Sequence, residues 1–253
     1  MRHSVFLAAL LPCAAAAESV PAAAVPVATP ALERIGDTAL DAASVLAWPL
    51  HLQTADTLLL AGATIGTVSL LGADTGLYRR VGRVNWTLKR KSIFDTTVHL
   101  GDGLVDLLVL GAFAFGDERA RRTSITGIEA LISAGATSVL MKHIFRVPRP
   151  SHGARDKRYF RKFRDDAFPS GHTMAAFATA SVIAAEYPGT APYVYGLATL
   201  VGFSVMKRGW HWPSDVLAGG ALGVLIGRVS VRVNNSRVSV ALTPGGLGVQ
   251  TEM

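Results

Sequence analysis

Cysteine occurs once in this chain, at Cys13. That excludes an intrachain disulfide and any cysteine-built metal cluster. Metal-ligand spacing is missing among the histidines as well. His51, His99 and His143 fall into no ligand pattern and read as surface or packed side chains. The recognised DNA- and RNA-binding motifs are absent, and the basic residues are not interleaved with a regular aromatic stripe, so nucleic acid is set aside as a partner. There is no internal repeat.

What the chain does have is apolar and basic. Its 253 residues are enough for one ordinary domain with its own core. Half of them are hydrophobic, and the mean hydropathy is +0.34. Glycine and alanine are abundant inside the apolar stretches, as in tightly packed helix bundles. The formal net charge is +7, which suits anionic partners such as phosphates and anionic lipid surfaces.

The first residues read as a secretory signal: Arg2 and His3, then an apolar run from Val5 to Leu11, then small residues at Ala14 to Ala17 before Glu18. Uncleaved, the same segment is an anchor. Pro21, Pro26 and Pro30 among alanines and valines then mark a linker. The expected layout is a signal peptide over 1–17, a linker over 18–45, a helical bundle over 46–230 and a β tail over 231–253.

The fold class expected is all-α, a six-helix bundle, with helices over roughly 54–73, 101–117, 123–144, 172–187, 191–208 and 214–230. Pro148 and Pro150 close the third helix, Pro188 and Pro192 bracket the turn after the fourth, and Pro213-Ser214 opens the sixth. Each is short against the about 20 apolar residues of a bilayer span. Val229, Val231 and Val233, then Val238, Val240 and Leu242, alternate with polar neighbours around Asn235-Ser236. That period of two predicts a small C-terminal β hairpin, with another turn at Pro244-Gly245-Gly246.

Three segments carry chemistry. Lys142 and Arg149, at the end of the third helix, supply fixed positive charge suited to phosphate oxygens. In Phe168-Pro169-Ser170-Gly171-His172, a capping serine opens an apolar helix. The free amides of that helix start attract an anion, and His172 would lie beside it. In the third segment His211 precedes Asp215 by four residues. A carboxylate within reach of one ring nitrogen fixes the tautomer and leaves the other nitrogen free to attack. Each segment alone also admits a plain reading, as a basic helix end, a helix cap or a stacked histidine. With successive helices running up and down, all three fall at one end of the bundle.

Taken together and in this order, the segments resemble the type 2 phosphatidic acid phosphatase superfamily, over about residues 100–230. The resemblance implies a metal-independent phosphatase that works without a cofactor. By it, His211 is the nucleophile that forms a phosphohistidine, Asp215 orients it, and His172 is the general acid. Lys142, Arg149, Ser170 and the Gly171 amide hold the phosphoryl oxygens. One position departs from the pattern: after Ser204 the family's arginine is replaced by Val205. Arg208, three residues on, is expected to reach back and restore the charge.

The implied substrate is a phosphomonoester or pyrophosphate, small or lipid-linked, given the apolar body beneath a basic mouth. Two other readings share the site: a catalytically impaired phosphate or lipid binder, motivated by Val205, and a vanadate-dependent haloperoxidase. His152 lies near the site loop. Trp210 and Trp212 flank His211 and wall the pocket or pack in the core. The loop over 151–168 sets six basic residues (Arg155, Lys157, Arg158, Arg161, Lys162, Arg164) against three acidic ones (Asp156, Asp165, Asp166), a net +3 over the site.

The export signal points to the cell envelope. If all six helices cross a membrane after signal cleavage, the site end lies in the cytoplasm. The basic stretch with Arg79, Arg80, Arg83, Lys89, Arg90 and Lys91 would lie there too. A soluble periplasmic bundle avoids that conflict. The expectation carried forward is a membrane-associated protein with a periplasm-facing site, the soluble form being its alternative.

Overall fold

A computed structural model describes residues 47–83, 94–152, 166–235, 239–243 and 246–250. Among the described residues there are eight helices. α1 (Thr54–Leu71) and α2 (Asp74–Arg83) come first. α3 (Phe94–Gly101) is followed by α4 (Gly103–Phe113) after a 66° bend. The last four are α5 (Glu118–Phe145), α6 (Gly171–Glu186), α7 (Ala191–Lys207) and α8 (Pro213–Asn235). The bundle is all-helical as expected, but with eight helices rather than six. α2 and α3 are the additions.

Local chemistry sets the helix ends. Asp117 caps α5 by accepting the Ala120 amide at 2.8 Å, and Arg146 ends it in the left-handed region at φ 46°. A Gln53–Asp56 capping box opens α1. Asp56 is fully buried and pairs with Arg228 and Arg232 near the end of α8. That pairing replaces water around a buried carboxylate.

α6 is the central helix, packed on α5, α7 and α8. Met174, Ala178 and Val182 of α6 join Ala130 and Ala134 of α5 and Leu222, Leu225, Ile226 and Val229 of α8 in the main core. Gly219, Gly223 and Gly227 face α6. A Cβ at Gly223 would sit 2.9 Å from that of Phe177, and one at Gly227 would sit 2.6 Å from that of Ser181. The glycine stripe lets the two backbones approach closely.

The hairpin expected around Asn235-Ser236 is not supported. Residues 229–235, read as its first strand, are the last turns of α8. The buried positions Ala218, Leu222, Leu225, Ile226 and Val229 follow a helical spacing. Ser230 donates to the Ile226 carbonyl at 2.9 Å, and Asn234 donates to Thr126 and Glu129 on α5, each at 2.8 Å. The polar side chains of the alternating stretch therefore meet their own helix or neighbouring ones, not solvent alone. Further on, Ser239–Thr243 and Gly246–Gln250 run antiparallel, a different pairing from the one expected.

α1, α5 and α8 are long and apolar enough to cross a membrane, and the bent α3–α4 pair would make a fourth span. α6 and α7 are shorter, at 16 and 17 residues. Large apolar side chains stand outward on the outer helices, among them Leu58 and Ile65 on α1, Leu104 and Leu108 on α4, and Ile132 and Leu140 on α5. Such a surface marks membrane association. The expected signal segment (with Cys13), the linker, Lys89 to Lys91 and the basic residues from Arg155 to Arg164 lie outside the described residues.

Candidate active site

The three segments meet at one end of the bundle, and main-chain hydrogen bonds tie them together. Beyond α5 the chain runs extended through Val147 and Pro148. The Val147 carbonyl accepts the Ala167 amide at 2.8 Å, and the Pro148 carbonyl accepts the Trp212 indole N–H at 2.8 Å. The Ser151 amide donates to Gly209 at 2.8 Å, and the Ser170 amide donates to Asp215 at 3.0 Å. Beneath them Val147, Ala167, Phe168, Trp212 and Ala218 form a small apolar floor.

His211 is buried, and its Nδ1 lies 2.7 Å from the Ala167 carbonyl oxygen. A carbonyl only accepts, so Nδ1 carries the proton and Nε2 keeps its lone pair. The Asp215 carboxylate is farther from Nδ1, at 3.8 Å. It accepts the Trp212 amide at 2.8 Å. Asp215 thus holds the backbone beside His211 and places negative charge near the ring, while the short contact to the ring comes from the main chain. Sequence reasoning missed Ala167, whose contribution involves no side chain.

Ser170 caps α6, with its hydroxyl 3.4 Å from the Thr173 amide and 2.9 Å from the Thr173 hydroxyl. A Cβ at Gly171 would lie 2.9 Å from the Ser138 hydroxyl and 3.6 Å from the Lys142 Nζ. Glycine at 171 therefore lets the α6 start close onto α5 and sets the Lys142 ammonium beside the first amides of α6. Those amides have no partner within their own helix, and with the ammonium they form an anion cradle.

His172 packs against Trp210, ring centroids 5.4 Å apart. Burial pulls its pKa down to about 4. His211, Lys142 and Arg149 push the same way, and Asp102 opposes them. Arg149 makes a bidentate pair with Asp166, at 2.7 and 2.8 Å. Burial alone would raise the Asp166 carboxyl. The Arg149 hydrogen bonds and the charges of Arg149 and Lys142 outweigh burial and hold it below the usual carboxylate range. Asp166 thereby fixes the guanidinium, a role the sequence did not suggest.

Arg208 donates to Asp95 at 2.8 Å and lies over the Trp210 ring at 4.4 Å. It stands next to the ring that touches His172, and its contacts are to Asp95 and Trp210. Val205 is fully buried and its carbonyl accepts the Trp210 amide at 3.1 Å. The Ser204 hydroxyl lies 2.7 Å from that of Thr97. His143 is exposed, with Nδ1 2.8 Å from the Val139 carbonyl.

α2 contributes a support that the sequence reading did not include. Buried Asp74 accepts the Ser214 amide at 2.9 Å and the Ser214 hydroxyl at 2.5 Å, pinning the first turn of α8. Tyr78, one turn further on, meets Trp212 edge-on with ring centroids 5.6 Å apart. Gly209 has φ +72°, and a Cβ there would sit 2.8 Å from the Tyr78 hydroxyl. Among the described residues no group of three His, Cys, Asp or Glu side chains is arranged to hold a metal ion.

A buried histidine with an oriented ring, a second histidine and two basic side chains lie together at one end of a helical bundle. The sequence pattern of the PAP2 superfamily matches residues 126–239. The chain is 32% identical over 142 residues to decaprenylphosphoryl-5-phosphoribose phosphatase of Mycobacterium tuberculosis, covering 55% of this chain and 77% of that one. It is 36% identical over 74 residues to the lipid A 1-phosphatase of Porphyromonas gingivalis, covering 28% of this chain but only 17% of that protein's length. The crystal structure of a transmembrane PAP2-type phosphatidylglycerolphosphate phosphatase from Bacillus subtilis superimposes with a TM-score of 0.56 at 19% identity, over 70% of this chain and 94% of that one. The chain belongs to the PAP2 superfamily.

Proposed function

We propose that this protein is a metal-independent phosphatase acting on a lipid-linked phosphomonoester or pyrophosphate, and that it works through a phosphohistidine on His211. The observation that carries the reading is the bond from His211 Nδ1 to the Ala167 carbonyl, which leaves Nε2 as the lone-pair nitrogen beside fixed cations. Both named relatives are phosphatases of lipid-linked phosphates by name, and the outer helices carry a membrane-suited surface.

In the first step Nε2 attacks phosphorus and the bond from phosphorus to the leaving oxygen breaks. His172 gives that oxygen its proton. In the second, water attacks the phosphohistidine, His172 takes the water's proton, and inorganic phosphate leaves with Nε2 restored. Lys142, Arg149 and the α6 amides offset the charge on the phosphoryl oxygens in both steps. Burial first, and the surrounding cations after it, depress the His172 pKa to about 4. A phosphate dianion in the cradle reverses that electrostatic balance and lets His172 hold the proton it must donate. The membrane-associated, periplasm-facing placement belongs to the same proposal and rests on the sequence of residues 1–17.

The test is phosphate release from p-nitrophenyl phosphate and from a polyprenyl pyrophosphate, with EDTA present and with His211→Ala as control. Activity that resists EDTA and vanishes in the variant is expected. Activity retained in the variant would remove His211 as the nucleophile. Phosphate binding without turnover would support the binder reading, which Val205 and the pairing of Arg208 with Asp95 favour.

A further inference from the structure

The two site histidines are held in different ways. His211 is fixed through a hydrogen bond from its Nδ1. Among the described residues no hydrogen bond reaches the His172 ring; what the ring meets is the half-buried Trp210 indole, with centroids 5.4 Å apart and planes inclined at 46°. A proton donor has to point at the oxygen it serves. An imidazole without a hydrogen-bond partner turns about its two side-chain torsions unless something packs against it.

Trp210 is held in its turn. Its amide donates to the Val205 carbonyl at 3.1 Å, and the carbonyl before it, of Gly209, accepts the Ser151 amide at 2.8 Å. Gly209, at φ +72°, turns the chain between Arg208 and Trp210, and the Arg208 guanidinium comes to lie over the indole, 4.4 Å from its centre. A cation in that position is attracted to the ring face. The same guanidinium donates to Asp95 at 2.8 Å. Asp95 stands on α3, which is docked on α7 through the Phe94 and Phe203 rings, 5.4 Å apart, and the Thr97 and Ser204 hydroxyls, 2.7 Å apart. Asp95, Arg208, Trp210 and His172 thus form a row of contacts from a docked helix to the first turn of α6.

We infer that Trp210 is a positioning residue for His172, aiming its imidazole at the leaving oxygen, and that Arg208, anchored by Asp95, keeps Trp210 in place. The inference rests on the phosphatase reading. It gives Arg208 a task that needs no contact with phosphate, in place of the lost motif charge. General acid catalysis contributes roughly 10²–10⁴-fold, so a donor that swings freely has a large factor to lose.

The experiment uses the full chain in lipid nanodiscs and compares kcat/KM on butyl phosphate and on p-nitrophenyl phosphate. Nitrophenolate leaves as a stabilised anion, whereas an alkoxide needs the proton. Trp210→Ala should cost butyl phosphate about tenfold or more and p-nitrophenyl phosphate less than about threefold. Trp210→Phe keeps a ring and should recover most of that loss. Arg208→Ala should lower the butyl phosphate value by about two- to fivefold, the worth of one cation over an indole. Equal losses on both substrates would overturn the inference, because a disturbed His211 or a loosened fold slows both alike. A second arm needs no turnover: NMR of the histidine rings, with the His172 signal assigned by its loss in His172→Gln. The indole ring current should displace that signal, and both Trp210→Ala and Arg208→Ala should reduce the displacement. A signal that Trp210→Ala leaves in place would overturn the hold of Trp210 on His172, and one that Arg208→Ala leaves in place would remove Arg208 from the row. A signal that moves as expected in a protein that hydrolyses neither substrate would overturn the phosphatase reading and leave that hold standing.

Discussion

Asp74→Ala tests whether α2 holds the site together. Asp74 is fully buried and accepts two hydrogen bonds from Ser214, at 2.9 and 2.5 Å. Truncation leaves an amide and a hydroxyl without this acceptor at the buried start of α8. Removing the acceptor of a buried polar group costs up to about 1–3 kcal/mol, so the loss from the two bonds should be at most about 2–6 kcal/mol. Asp74→Asn keeps one carbonyl acceptor and should lose roughly half of that, which allows a folded protein to be measured. The assay is denaturant unfolding of the purified protein, with a double-mutant cycle between Asp74→Asn and Ser214→Ala. A coupling above about 0.5 kcal/mol is expected for groups in direct contact. A stability change below about 0.5 kcal/mol for Asp74→Ala would refute the argument that this contact braces the site.

Asp166→Asn should lower kcat/KM about tenfold or more, because the charge-assisted pair that aims Arg149 is worth about 1.5–3 kcal/mol; steady-state kinetics beside Arg149→Ala will check it, and a wild-type value would show that Arg149 needs no anchor. Arg208→Ala should change inorganic phosphate affinity by less than about threefold, since its contacts are to Asp95 and Trp210 and exposed pairs contribute little; a larger loss by calorimetry would restore a direct phosphate role. Gly209→Ala should destabilise by about 1–2 kcal/mol or more, as φ is +72° and the added methyl meets Tyr78; unfolding measurements decide. His172 has its pKa depressed to about 4, whereas the unfolded chain takes up the proton near pH 6.5. The unfolded state therefore binds more protons below that pH, and stability should fall as pH drops from about 6.5 to about 4. His172→Gln should flatten that fall; an unchanged profile would contradict the depressed value.

Most of the bundle was legible in the sequence because its helices are apolar runs bounded by proline and glycine. α2 escaped for the opposite reason: it is short and polar, with Arg79 and Arg80 in its second half. Its contribution, Asp74 to Ser214, spans 140 positions, and no local pattern reports that distance. The stretch from Val229 to Asn234 misled because its polar members bond within α8 or to neighbouring helices. Arg232 meets Asp56 on α1 and Asn234 meets Glu129 on α5, so alternation there is not a strand facing water. The site's charged side chains were legible as residue types at fixed spacing. Their fixings were not. Asp166, which aims Arg149, sits in a run of mixed charge, and the displacement of Arg208 onto Trp210 depends on how α7 ends.

The acceptor that sets the His211 proton is a peptide carbonyl. No side-chain substitution at Ala167 deletes it, so a scan that replaces residues one at a time would pass over it. What can remove it is a change in the path of the chain: an insertion between Arg149 and Phe168, or the loss of the bond from the Ala167 amide to Val147. The tautomer is thus inherited with the shape of a loop rather than with a residue, and homologues that differ at this position can keep the same proton arrangement as long as the loop keeps its course.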